Sequence, residues 1–212
     1  MQGDDATLAE SIEESLLRAG FGIGDDYVSV LRSNLHDATP RRRVLALRGV
    51  VRQRLVTPDD WRLALGDVDV EVRREALNQI AHHEIGDHDG SILEAVVRCL
   101  DDDDALVVDG AVFALGEHLY TDAVERLCVI ATSHEDARCR ESAIAALGAI
   151  GDDRARPVIL GALDDKPPVR RRAIVALSNF EGPDIEEALE RASADRDWQV
   201  RAAVNQLGRD LD

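Results

Sequence analysis

The sequence predicts an all-α fold: an α-solenoid, a superhelix of about six antiparallel helix pairs behind an N-terminal capping helix. Three observations carry this. One pattern recurs six times: PRRRVLALRG from Pro40, VRREALNQIA from Val72, VVDGAVFALG from Val107, CRESAIAALG from Cys139, VRRRAIVALS from Val169 and VRAAVNQLG from Val200. Aligned on the small apolar residue after the first turn, the anchors are Val44, Ala76, Ala111, Ala143, Ala173 and Val204, spaced by 32, 35, 32, 30 and 31 residues. Such a period means stacked supersecondary units. Each copy is also helical by its own periodicity: Val169, Ala173, Ala176 and Leu177 fall at i, i+4, i+7 and i+8, one continuous stripe. Finally, 45 % of residues are apolar but only 3 % aromatic, so the core must be Ala, Leu, Val and Ile, which suits closely packed helices.

The elements follow in order. Residues 6–19, ATLAESIEESLLRA, read as an amphipathic helix outside the repeat count. A stack needs its terminal apolar face covered, so 1–24 is the cap and its turn. The array is 25–212, in repeats of about 25–57, 58–86, 87–120, 121–150, 151–181 and 182–212. The first helices are YVSVLRSNL, WRLAL, ILEAVVRCL, AVERLCVIA, ARPVILGAL and IEEALERA, each followed by a copy of the pattern as second helix. Asp and Pro mark turns inside pairs, as in DDKPP, and Gly and Asp mark turns between them, as in AIGDD and FEGPD, the usual helix stop and start signals.

Charge narrows the function classes. The formal charge is −17, with Lys166 the sole lysine. Such a surface repels nucleic-acid phosphates and anionic membrane unless its cations segregate. The acidic start MQGDDATLAE lacks the apolar stretch of a signal peptide, and the longest uncharged run, Ser142 to Gly151, is too short for a span. A cytoplasmic protein, binding neither nucleic acid nor membrane, is expected. Cys99, Cys128 and Cys139 are widely spaced without a CxxC and read as reduced, buried thiols.

Asp67 precedes Arg73 by six residues, and Asp164–Arg170 and Asp195–Arg201 keep the offset. A turn carboxylate can cap the following helix and offset the unfavourable Arg near its N-terminus. Repeated in each unit, these pairs predict a structural ladder along one edge. Repeat one has Leu35 at the Asp position, repeat three has Val108 at the Arg position and repeat four has His134 at the Asp position.

The segments GDVDVEVRREA, DDKPPVRRRAIVALS and DRDWQVRAAVNQLG resemble HEAT repeats, most closely the HEAT-like repeats named from phycobilisome lyases. The resemblance covers about residues 25–212 and implies the fold. On function it leaves scaffolds, lyase subunits and a few enzymes open. One metal-dependent HEAT-like family, the deoxyhypusine hydroxylases, places His-Glu pairs just before the anchor. Here those places hold Arg74–Glu75, Asp109–Gly110, Glu141–Ser142 and Arg171–Arg172. The pair His134–Glu135 instead falls in the turn slot of Asp67 and reads as polar turn chemistry, and His83–Glu84 and Glu117–His118 lie near helix ends. In HHEIGDHDG, residues 82–90, His83, Asp87 and His88 could converge on a divalent ion, but the run matches no ligand spacing and reads as a solvated loop. No nucleophile elbow, Ser-His-Asp context or phosphate loop is present. The expectation is a non-catalytic protein with no cofactor and no metal.

What remains is a surface for a partner protein. The resemblance puts the second helices on the concave face. With anchor, +3 and +4 buried, position +2 should face the groove: Ala46, Asn78, Phe113, Ala145, Val175 and Gln206. Two before the anchor stand Arg42, Arg74, Asp109, Glu141, Arg171 and Ala202. The predicted partner-binding set is Asn78, Asp109, Phe113, Glu141, Ala145, Arg171 and Val175, on an interaction scaffold whose apolar anchor is Phe113. Asp109 and Glu141 beside Phe113 favour a segment carrying an apolar residue and a Lys or Arg. The alternatives are a phycobilisome-lyase-like subunit and, further off, a HEAT-like hydroxylase or a nucleic-acid binder of the HEAT-like DNA glycosylase kind.

Overall fold

The computed structural model describes residues 12–84 and 90–210, the last three by backbone alone. Thirteen α-helices are described: α1 (12–20), α2 (Tyr27–Asn34), α3 (Pro40–Arg52), α4 (Pro58–Leu65), α5 (Val70–Ala81), α6 (Gly90–Arg98), α7 (Ala105–Glu117), α8 (Val124–Ser133), α9 (Ala137–Ile150), α10 (Arg156–Gly161), α11 (Pro167–Leu177), α12 (Pro183–Ser193) and α13 (Trp198–Asp210). No strand occurs among the described residues. The all-α repeat architecture read from the sequence is borne out. The first helices are less regular than the pattern implied: short 3-10 turns precede α8 and α10 and follow α6 and α10.

Two compact units divide between Ala95 and Val96. In the N-terminal unit α3 packs on α2 and α5, and α4 on α5. Helix α1 buries Leu16 and Ala19, and its last residue accepts a bond from Gln53 Nε2 at 2.9 Å, as a cap should. Residues 6–11, expected in the same helix, lie outside the described residues. In the C-terminal unit α7, α9, α11 and α13 form a row, each packed on the next, with α8, α10 and α12 behind α9, α11 and α13.

The row is built by small residues at fixed register. Anchors Ala76, Ala111, Ala143 and Ala173 are buried, as are the residues at +1 (Leu77, Val112, Ile144, Ile174) and +4 (Ile80, Leu115, Leu147, Leu177). Each buried Leu or Ile contributes about 1.5–3 kcal/mol of transfer free energy. Close approach depends on glycine. A Cβ on Gly148 of α9 would lie 2.6 Å from the Cβ of Ala176 on α11, and one on Gly116 of α7 would lie 2.9 Å from that of Ala146 on α9.

The Asp–Arg ladder exists, but it runs between units rather than within them. Arg43 forks onto Asp67 at 2.6 and 2.7 Å, Arg140 onto Asp165 at 2.7 and 2.8 Å, and Arg170 onto Asp195 at 2.7 and 2.9 Å. The remaining Nη1 turns back to a carbonyl of its own turn: Arg43 to Asp37, Arg73 to Asp67, Arg170 to Asp165 and Arg201 to Asp195. The predicted carboxylate pairs Asp67–Arg73 and Asp195–Arg201 are therefore backbone-mediated. Each forked arginine staples its turn to the next unit's carboxylate, with bidentate geometry that satisfies both charges as they leave water. Asp164 is corrected too. It is exposed, and Asp165 takes the fork, because Asp164 still belongs to the 3-10 turn Ala162–Asp164 and only two residues separate that turn from α11.

Capping is shared between two residues. Asp67 Oδ1 accepts the amide of Asp69 at 2.8 Å, and Asp69 in turn caps α5 through Glu71 N. Asp102–Asp104 and Asp195–Asp197 do the same before α7 and α13. His134 takes this role in repeat four, where its Nδ1 accepts the amide of Asp136 at 3.1 Å. The His134–Glu135 pair is turn chemistry, as its position suggested.

Repeat one sits two residues from the expected register. Arg43 occupies the place of Arg73, so the anchor is Ala46, fully buried at 0 % exposure, and not Val44. Ala46 therefore leaves the predicted groove floor, and the turn carboxylate is Asp37 rather than Leu35. Three consecutive arginines, 41–43, offer three candidate registers, and only the fork onto Asp67 selects among them.

Candidate interaction face

The second helices of the C-terminal unit leave one face open. Phe113 on α7 and Val175 on α11 are each 46 % exposed at position +2, with half-buried Ala145 of α9 at the same position between them. Gln206 on α13 holds the same position and is exposed. Asn78 holds the equivalent place on α5 of the N-terminal unit and is exposed. Near it Arg48 forks onto buried Glu75 at 2.6 and 2.7 Å.

Two hollows lie along the row. One, of about 260 Å³, is bounded by Phe113, Glu117, Glu141, Ala145 and Arg172. The other, of about 510 Å³, is bounded by Arg171, Arg172, Val175, Trp198 and Gln206. Arg172 is common to both.

The charges on this face are partly spoken for. Asp109 accepts a hydrogen bond from Ser142 Oγ across to α9. Glu141 is approached by Arg172 Nη2 at 3.5 Å and Arg171 Nη2 at 3.8 Å, both too long for good forks. The predicted acidic flank around Phe113 is therefore a mixed one.

Trp198 was not foreseen. It is 67 % exposed, whereas Trp61 is 2 % exposed in the core. The signal lay in the aligned column six before the anchor, which holds Val70, Ala105, Ala137, Pro167 and then Trp198. A large aromatic at the exposed start of a helix is out of keeping with its column.

Cys99 and Cys139 are buried. Burial, helped by nearby Asp109, pushes the Cys139 thiol up to about 11, which leaves it a poor nucleophile. Among the described residues no three His, Cys, Asp or Glu side chains gather as a metal ion would need. His83 packs against Trp61 with ring centroids 5.7 Å apart, while Asp87 and His88 lie outside the described residues. No described helix is long and apolar enough to cross a membrane.

Register, anchors and ladder together define a helical-repeat solenoid. Residues 93–177 match the HEAT-repeat family, in line with the resemblance read from the sequence for that stretch. Solved structures share its architecture. An engineered protein superposes with a TM-score of 0.64 at 21 % identity, covering 85 % of this chain and 94 % of that one. The complex of CpcE and CpcF of phycocyanin lyase from Nostoc sp. PCC7120 gives 0.60 at 20 %, covering 83 % and 73 %. A designed armadillo repeat protein in complex with the peptide (KR)4 gives 0.60 at 16 %, covering 95 % and 99 %. At these identities the likeness is one of fold. No curated protein matches the sequence.

Proposed function

We propose that this protein is a non-catalytic scaffold that grips a segment of another protein on the second-helix face of its C-terminal unit. The observation that carries the reading is the apolar row of exposed Phe113, half-buried Ala145 and exposed Val175, continued by exposed Trp198, on the second helices of four successive repeats. Monomeric surfaces rarely leave contiguous apolar area open without a use, and exposed aromatics at a groove are the side chains that dominate binding. The designed armadillo repeat protein of similar fold is in complex with the peptide (KR)4, which supports the segment-binding reading.

Affinity capture with a tagged copy supplies the partner, and Phe113→Ala then tests the face. Binding should weaken at least tenfold, the loss of about 2 kcal/mol expected of an anchor, while helicity and thermal midpoint hold. Unchanged binding would refute the assignment.

A lyase-type subunit is the second reading, favoured by the likeness to the phycocyanin lyase complex. Seven aromatic side chains in the whole chain leave little with which to line a chromophore pocket. A visible absorbance band in protein purified from its native host would move the balance to this reading.

A further inference from the structure

The larger hollow has a chemistry of its own. In a chain with 42 acidic residues, it is lined, among the described residues, by two arginines and no carboxylate. Arg171 and Arg172 are each about two-fifths exposed and share one acceptor, Glu141, at distances of 3.8 and 3.5 Å. Moreover Arg172 Nε is buried without a hydrogen-bond partner, an omission that ordinarily costs about 1–3 kcal/mol. Val175, Trp198, Ala202 and Leu207 supply an apolar wall beside these cations. A site with surplus guanidinium donors next to an exposed indole is complementary to a carboxylate carried beside an aliphatic side chain.

We propose that the hollow between α11 and α13 is a carboxylate subsite, which takes an Asp or Glu flanked by an apolar residue of the bound segment. The inference rests on the interaction-face reading and sharpens it. The segment would place an acidic residue here and its apolar residue, with or without a cation, in the Phe113 hollow. Phosphate-bearing chains could also use the arginines, but the −17 surface opposes a polyanion far more than a single carboxylate.

The test is a fluorescence titration of the full chain, since exposed Trp198 reports the hollow and buried Trp61 does not. The probes are blocked hexapeptides Gly-Leu-Glu-Leu-Glu-Gly, the same peptide with Gln for Glu, the same with Lys for Glu, and a thymidine hexanucleotide. The Glu peptide should shift Trp198 emission to the blue saturably and bind at least tenfold more tightly than the other three. Arg172→Gln, and separately Arg171→Gln in case one variant fails to fold, should abolish that advantage, with circular dichroism unchanged. Equal binding of the Gln peptide, tighter binding of the Lys peptide or the oligonucleotide, or no response of Trp198 to any probe overturns the proposal. If it falls while a captured partner is still lost on Phe113→Ala, the interaction face stands without the carboxylate subsite. If Phe113→Ala has no effect either, both fall.

Discussion

Gly148 and Gly151 stand three residues apart and are glycine for different reasons. At Gly148 a side chain would strike backbone and Cβ of Ala176, at 2.8 and 2.6 Å, and neither helix can yield without unpacking the row. Gly148→Ala should destabilise by about 1–3 kcal/mol, the usual range for overpacking. Gly151 has open space around it but a φ of +68°, so Gly151→Ala should cost only about 1 kcal/mol, through the left-handed backbone. Urea unfolding separates the two: Ala176→Gly should relieve the first substitution and leave the second untouched. Arg54 (φ 57°) and Leu119 (φ 48°) occupy the column of Gly151 in their own repeats, so the left-handed turn belongs to the architecture even where the residue resists it.

At the scale of elements, the stapling arginines decide how one helix pair meets the next. Arg170 is buried and forks onto Asp195, and its guanidinium holds that carboxyl below the usual carboxylate range. A carboxyl depressed on folding contributes stability that is present above its unfolded value and lost as pH falls through the folded one. The gap in unfolding free energy between the wild type and Asp195→Asn should therefore be largest near neutrality and close below about pH 4, as measured by urea titration at each pH. Arg170→Ala, which leaves Asp195 without its cation, should cost about 2–4 kcal/mol at pH 7. One rung is missing: Val108 stands where the arginine belongs and His134 where the next unit's carboxylate belongs. Both halves are exchanged together, so no charge is stranded. Val108→Arg alone should destabilise, and adding His134→Asp should recover most of the loss. The coupling expected from a double-mutant cycle is about 1–3 kcal/mol, and a coupling near zero would show that the two positions do not face each other.

At the scale of the whole molecule, charge sets the behaviour. A formal −17 repels itself in the folded state, and the screening length shrinks from about 30 Å at 0.01 M salt to about 3 Å at 1 M. The buried rungs are screened less than the exposed carboxylates. The thermal midpoint should therefore rise between low and moderate salt, and a falling midpoint would mean that exposed ion pairs outweigh repulsion. By the same argument duplex DNA should show no binding at physiological salt in a titration that would reveal the steep salt dependence of phosphate contacts.

Much of the fold was legible because every unit faces the same packing problem. The anchor, +1 and +4 positions must be small or aliphatic wherever helix meets helix, so the demand is written in five repeats, and neither the slip at the 41–43 arginines nor the one-residue slip of the last repeat, where exposed Asn205 follows Val204, hides it. The exposed row was legible for the same reason: once the buried stripe is known, position +2 is what remains, and Phe113, Ala145 and Val175 stand there. The partners of the ladder could not be read. Asp and Arg both recur once per unit, so a rung within a unit and a rung to the next unit leave the same pattern in the sequence, and only the stacking of α-helices brings Arg170 to Asp195 rather than to Asp164. Arg171 was in the predicted set, but Trp198 and Arg172 of the same hollow were hidden, because whether a side chain at a helix start is covered depends on what the neighbouring repeat lays over it. The sequence by itself determined the repeat, its helices and the face they leave open. The tertiary structure alone decided which charges are joined across units and which arginines stay short of acceptors, because those are properties of distances between helices that the chain's periodicity leaves unstated.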